Sequence, residues 1–285
     1  MLARGRGRER RRGGRSGPRA AAPPAAGPEA LVGRNAVREV LRARRRRVQR
    51  VLLAAGAQER GAVDEIVALC GEAGVSVERV PRATLDRFGA ELTHQGVAAL
   101  VSPYPYADVA ALLARAAERA EPPFLLALDS VQDPQNVGSL LRTAEAVGVH
   151  GVIIPQRRAA GVTPAVSRAS AGAVEHLLVA RVTNLVRTLS DLKESGVWVV
   201  GVEDVPTAQE YRRVDLNMPL VLVVGGEGPG MRRLVLETCD LVVRLPMRGR
   251  ISSLNVSVAG SIVVYAAWAA RGAPDAPRAA DGEER

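Results

Sequence analysis

From Phe124 onward the chain repeats short, almost uninterrupted apolar runs: FLLAL, VHGVIIP, HLLVARV, VWVVGV, PLVLVVGG and LVVRLP. A strand with one wet face alternates apolar and polar residues, whereas a strand covered on both faces of a parallel sheet is apolar throughout. Helical segments over 138–147, 164–173, 185–194 and 231–238 fall between these runs. The βαβ rhythm predicts an α/β domain built on a doubly wound parallel sheet. Ligands of such sheets bind at the carboxyl ends of the strands. Three polar segments follow directly on apolar runs and are therefore expected to meet on that edge: LDSVQDPQNVGSLLRTAEAVG (128–148), VVGGEGPGMRR (223–233) and LPMRGRISSLNVSVAG (245–260).

A second, smaller unit precedes this domain. Helix, strand, helix, strand and strand are predicted over 36–44, 48–54, 62–74, 75–80 and 96–101, a compact α/β unit spanning 31–104. Prolines 103, 105, 122 and 123 bracket a helical stretch over 108–120, so 105–122 reads as a linker and 123–271 as the large domain. Residues 1–30 and 272–285 lack periodic apolar positions and are expected to be disordered tails.

The net charge of +9 points to a polyanionic partner, but residues 1–30 alone carry eight Arg and two Glu, leaving only +3 for the rest. Lys193 is the sole lysine beside 38 arginines, a skew that fits compositional bias as well as phosphate binding. No apolar run approaches the roughly 20 residues of a membrane span. The arginine-rich start is not followed by the apolar core of an export signal, so a cytoplasmic protein is expected. Cys70 and Cys239 have no metal-like spacing and read as buried thiols in a reducing compartment. His94, His150 and His176 form neither a ligand set nor a triad, and no metal is expected.

In the first polar segment, Asp133 to Asn136 reads as a turn and Gly138 as the opening of a helix. Asn136 and Arg142 are expected to face the crevice, the guanidinium being a rigid fork suited to phosphate. In the second, glycines at 225, 226 and 228 allow a ligand to approach the backbone. Their spacing is not G-x-G-x-x-G, no acid follows at the next strand end, and no Gly-Lys-Ser/Thr is present, which disfavours dinucleotide or phosphate-loop binding. Glu227 suits hydroxyls, a neighbouring arginine or a cationic cofactor. In the third, Ser252 and Ser253 can cap a helix beginning near Leu254, with Asn255 in its first turn. The helix over 255–270 is expected to be buried because it is so apolar.

Taken together, Asn136 and Arg142 in NVGSLLRTAEAVG, Glu227 in GGEGPGM, and Ser253 and Asn255 in LPMRGRISSLNVSVA resemble the SpoU/TrmH branch of the SPOUT methyltransferases. In the small unit, GRNAVREVL and HQGVAALV are similar to the substrate-binding domain of bacterial rRNA ribose methyltransferases, so the resemblance runs from about 31 to 271. It implies S-adenosylmethionine as methyl donor, a ribose 2′-hydroxyl of RNA as acceptor, a homodimer, and a trefoil knot that the residues alone would not suggest. Carried onto this chain, Gly225, Gly226, Gly228, Leu245, Met247, Leu254 and Asn255 would hold the cofactor. Arg142, Asn136, Glu227, Ser253 and Asn255 would form the catalytic set, with Glu227 holding Arg142 or a group of the partner subunit. Arg42, Arg45 and Arg46, together with Arg142, are the candidate RNA contacts, although a solvated helix end is the alternative for the first three. A guanosine of 23S rRNA is the expected target. The alternatives are a tRNA ribose, an rRNA adenosine modified as in thiostrepton resistance, and a non-catalytic RNA-binding protein.

Overall fold

In a computed structural model of the chain, residues 27–57, 60–88, 94–228, 230–251 and 253–272 are described. The expected terminal tails lie almost wholly outside them, as do Ser252 and Pro229. The small domain comprises β1 (Glu29–Val32), α1 (Arg34–Ala43), β2 (Val48–Ala54), α2 (Ala62–Ala73), β3 (Ser76–Val80), α3 (Arg82–Asp86) and β4 (Val97–Val101). Its sheet has the order β1-β4-β2-β3. β2 runs parallel to β3, and β4 runs antiparallel to both β1 and β2. Leu31, Val37, Val51, Leu53, Ile66 and Val97 form its core. Gly74 ends α2 in the left-handed region at φ 65°, as glycine does where a helix must stop. β1 and α3 were not expected; each is too short to show a period.

The large domain continues with α4 (Val109–Glu118), β5 (Phe124–Asp129), α5 (Pro134–Ala146), β6 (Gly151–Pro155), α6 (Pro164–Ala169), β7 (Val179–Val182), α7 (Leu185–Glu194), β8 (Trp198–Val202), β9 (Gln209–Glu210), β10 (Leu220–Gly225), α8 (Arg233–Thr238), β11 (Leu241–Arg244) and α9 (Val256–Ala270). The strands form one sheet in the order β7-β6-β5-β10-β8-β11-β9, every pairing parallel. All six apolar runs are strands. Only β9, two polar residues at the edge, escaped prediction.

Alternation along the central strands divides the core. Leu126, Leu128, Leu222 and Val224 pack against α5 and α9, while Leu125, Ala127, Val221 and Val223 pack against α4, α7 and α8. Each fully buried aliphatic side chain contributes about 1.5–3 kcal/mol, so the centre of the sheet is rigid and its carboxyl edge is a fixed platform.

Four expectations are corrected here. The stretch 105–122 is not a free linker: Leu112 of α4 is fully buried, and a Cβ on Gly151 of β6 would sit 2.1 Å from its Cγ. Helix α5 starts four residues earlier than expected, because Asp133 accepts a hydrogen bond from Gln135 N and Pro134 stands at the first helical position, where its missing N–H costs nothing. Gly138 is thus inside the helix, where a Cβ would lie 2.4 Å from Ala169 Cβ of α6. Helix α9 is capped by Asn255, whose Oδ1 accepts from Ser257 N and Val258 N, and not by Ser253. Nor is α9 fully buried: Val258, Ile262 and Tyr265 stay exposed along one stripe, beside Ile251 and Leu254.

Candidate active site

The carboxyl ends of β8, β10 and β11 open into a cleft of about 700 Å³. Gly225, Gly226, Glu227 and Gly228 form one wall; Arg244, Leu245 and Met247 form the second; Ser253, Leu254, Asn255, Val256 and Ala259 form the third. All seven residues expected to hold a cofactor therefore line a single cleft. Val202, the last residue of β8, and Glu203 and Asp204 after it also line the cleft. These three were not anticipated, because lone carboxylates after a strand are ordinarily solvated and GVEDV carries no periodic signal.

Close packing shapes the glycine turn. A Cβ on Gly225 would lie 2.3 Å from Met231 N, and one on Gly226 would lie 2.3 Å from Ser130 O. Gly228 and Gly230 adopt φ 81° and 69°, which only glycine takes at little cost. Two carboxylates fix the far end of the turn. Glu203 Oε2 accepts from Met231 N at 2.8 Å, and fully buried Asp129, at the end of β5, accepts from Arg232 N at 2.8 Å and from its Nε at 2.7 Å. Burial pushes the Glu203 carboxyl above its ordinary value, partly offset by the hydrogen bond from Met231 N and reinforced by the nearby charge of Asp129.

Asn136 and Glu227 meet across two loops. Asn136 sits in the first turn of α5, only 6% exposed, and its Nδ2 donates to Glu227 Oε1. Glu227 is therefore held within this chain by Asn136 and not by Arg142, which corrects the first of the two partners expected for it. Six residues along a helix turn a side chain about 120° away. Arg142 is accordingly exposed, off the cleft wall, and without a charge partner among the described residues. Asn255 lines the cleft with its Oδ1 committed to capping, so its free donor is Nδ2. Ser253 is exposed on the same wall.

The arginines assigned to RNA have other partners. The Arg46 side chain is 1% exposed; its Nη2 lies 2.5 Å from Glu29 Oε2 and its Nη1 lies 3.4 Å from Glu175 Oε1 across the domain boundary. Arg45 Nη1 donates to Glu175 O and Leu177 O, and its guanidinium lies 5.5 Å from the Tyr104 ring centre. Both residues dock the small domain onto the large one, Arg46 buried and Arg45 half-buried. Arg42 is exposed but paired with Glu39 and Glu65. The histidines likewise join elements: His176 Nε2 lies 2.9 Å from Glu39 Oε2 across the same boundary, and His150 Nδ1 accepts from Phe124 N. Burial raises the thiols, Cys70 to about 11 and Cys239 to about 12; Cys239 is only half-buried. Among the described residues no cluster of His, Cys, Asp and Glu could hold a metal, and no helix is long and apolar enough to cross a membrane.

The profile of the SpoU rRNA methylase family matches residues 123–265, which contain the sheet edge, the glycine turn and the third wall. The chain belongs to the SpoU methylase family. The RNA 2′-O ribose methyltransferase substrate-binding profile matches residues 30–107, the small domain. A Bacillus subtilis protein assigned to the TrmH family of tRNA/rRNA methyltransferases is 46% identical over 85% of this chain and 95% of its own length. A Staphylococcus aureus relative with the same family assignment is 44% identical, covering 82% of this chain and 93% of its own. Among solved structures, the SpoU methyltransferase AviRb of Streptomyces viridochromogenes, in complex with AdoMet, superposes with a TM-score of 0.72 at 22% identity. It covers 87% of this chain and 92% of its own. A TrmH-family RNA methyltransferase structure from Porphyromonas gingivalis superposes with a TM-score of 0.63 at 26% identity, over 85% and 89% of the two chains.

Proposed function

We propose that the chain transfers a methyl group from S-adenosylmethionine to a ribose 2′-hydroxyl of RNA, with a guanosine of 23S rRNA as the target. The observation that carries this reading is the cleft at the sheet edge, which gathers the second and third family segments and meets the first through the hydrogen bond from Asn136 to Glu227. Its chemistry fits the donor. Backbone groups of a glycine turn and apolar Leu245, Met247 and Leu254 suit a nucleoside, and Glu203, Asp204 and Glu227 suit a positive charge. Bound there, the cofactor supplies an activated methyl group whose carbon–sulfur bond breaks as the new oxygen–carbon bond forms.

The chain's own residues must make the hydroxyl reactive, since a ribose hydroxyl attacks only as its proton leaves. Arg142 does not take that proton, because a guanidinium stays charged in proteins. Exposed, off the cleft wall and without a charge partner among the described residues, it holds a backbone phosphate of the substrate, while the proton passes to phosphate or water. Asn136 holds Glu227 and with it the glycine turn. Asn255 Nδ2 and the Ser253 hydroxyl orient the ribose from the opposite wall.

The same reading makes the protein a homodimer. The stripe of Val258, Ile262 and Tyr265 lies on a helix that also packs against α5 through a 2.8 Å contact of Thr143 Oγ1 with Ser261 Oγ, and a second copy would cover it. The family resemblance further makes the loops at 225–228, 245–247 and 253–255 the knotted ones. Calorimetry should show binding of S-adenosylhomocysteine and none of NAD. Mapping of ribose methylation should show one rRNA position that loses its methyl group when the gene is deleted. A lost tRNA methyl group instead would replace the target, and no lost RNA methylation would overturn the enzymatic reading.

A further inference from the structure

Arg42 and Arg46 of the small domain are paired with carboxylates and Arg45 bonds carbonyls of the large domain, so these three are poor ligands for the substrate's phosphates. Between Glu145 and Glu175 the chain has no acidic residue, yet it carries Arg157, Arg158 and Arg168. Arg157 and Arg158 occupy the corner that follows β6 on the carboxyl edge, both exposed and neither paired with a carboxylate among the described residues. Some exposed arginines, Arg44, Arg50, Arg212 and Arg233, have a carboxylate within 4.0 Å; others, Arg244, Arg248 and Arg250 of the third segment among them, likewise lack one among the described residues.

The corner is built. Gln156 N donates to Val182 O at 2.8 Å, and Arg181 Nη2 donates to Gln156 O at 3.2 Å. The Arg181 guanidinium lies 5.6 Å from the ring centre of Tyr106, whose hydroxyl accepts from Val162 N at 2.8 Å. Arg158 itself stands at φ 63°, a conformation a non-glycine residue keeps only where its surroundings impose it. Ala160 N donates to Val131 O at 3.1 Å, which ties the corner to the connection that enters α5 just before Asn136. Exposed guanidinium groups carried on a fixed backbone corner at the carboxyl edge suit phosphates, which arginine binds as a planar fork.

We propose that Arg157 and Arg158 form a phosphate-binding surface of the large domain over which the RNA strand enters the cleft. This rests on the RNA methyltransferase reading and adds the route of the substrate. The test compares wild type with Arg157→Ala/Arg158→Ala, using a fluorescein-labelled 20-nucleotide single-stranded RNA. Loss of two phosphate contacts lowers the slope of log Kd against log salt by about 1.4 and weakens binding about 25-fold at 0.1 M salt. S-adenosylhomocysteine affinity should not change, which separates the effect from misfolding. Arg187→Ala/Lys193→Ala, on the α7 face, should leave the slope unaltered. An unchanged slope in the first variant, or an equal loss in the second, overturns the surface. Methyl incorporation by wild type into total RNA from cells lacking the gene judges the enzymatic reading separately.

Discussion

The tie between Asn136 and Glu227 makes a quantitative prediction about the cleft. Its donor is buried in the first turn of α5, and its acceptor stands between the two glycines of the turn that forms one wall. A hydrogen bond to a charged group contributes about 1.5–3 kcal/mol. Glu227 is exposed, so the low end applies, and every 1.4 kcal/mol is about tenfold in affinity. Asn136→Ala should therefore weaken S-adenosylhomocysteine binding by up to about tenfold in calorimetry and lower the melting temperature of the ligand-free protein by about 2–4 °C. Asn136→Asp should be worse, because it sets two carboxylates face to face; at 4 Å and an effective dielectric of 20 that repulsion approaches about 4 kcal/mol, and solvent at Glu227 reduces it. Asn136→Asp/Glu227→Gln should recover most of the loss, since the amide then donates in the opposite direction. If the aspartate variant binds no worse than the alanine variant, or the double variant no better than the single, this contact does not hold the turn.

Three further outcomes follow from the same geometry. Arg46→Ala leaves Glu175 buried without its counter-charge and should destabilise the protein by about 3–5 kcal/mol in urea unfolding; Glu175→Gln should restore part of that, and additivity of the two would refute the pairing. Gly138→Val, which crowds Ala169 at the end of α6 and Ser170 just after it, should cost about 1–3 kcal/mol by overpacking, measured by thermal denaturation, and a neutral result would mean that α6 yields freely. The Glu39–His176 contact should respond to pH. The hydrogen bond with Glu39 raises His176 above 6.5 despite burial, so its contribution is complete below that value and is lost as pH rises through the raised one. Burial pushes Glu39 up, but His176, Arg38 and Arg42 more than offset it and hold it below 4.5, so its contribution is lost as pH falls through the lowered value. The stability difference between wild type and His176→Ala should thus shrink at alkaline pH; an increase there would contradict the linkage.

Hydrophobic pattern determined the large sheet. Continuous apolar runs can be satisfied only by two covered faces, so β5, β6, β7, β8, β10 and β11 were legible one by one, as was their convergence of three polar segments on one edge. Pattern could not show Glu203 or Asp129 holding the glycine turn, because a carboxylate's partner here is a backbone amide brought from a distant loop. It also misjudged the arginines and α9. Charge density in sequence is silent about neutralisation: whether Arg46 faces RNA or lies buried between Glu29 and Glu175 depends on how two domains dock. An apolar helix is equally silent about what covers it, and α9 presents a face that its own chain does not bury. Local periodicity is written by neighbours along the chain and can be read there. The pairing of Asn136 with Glu227, the role of Asn255 as a cap, and the unpartnered corner at Arg157 and Arg158 arise between residues far apart in sequence, so only the tertiary structure decided them.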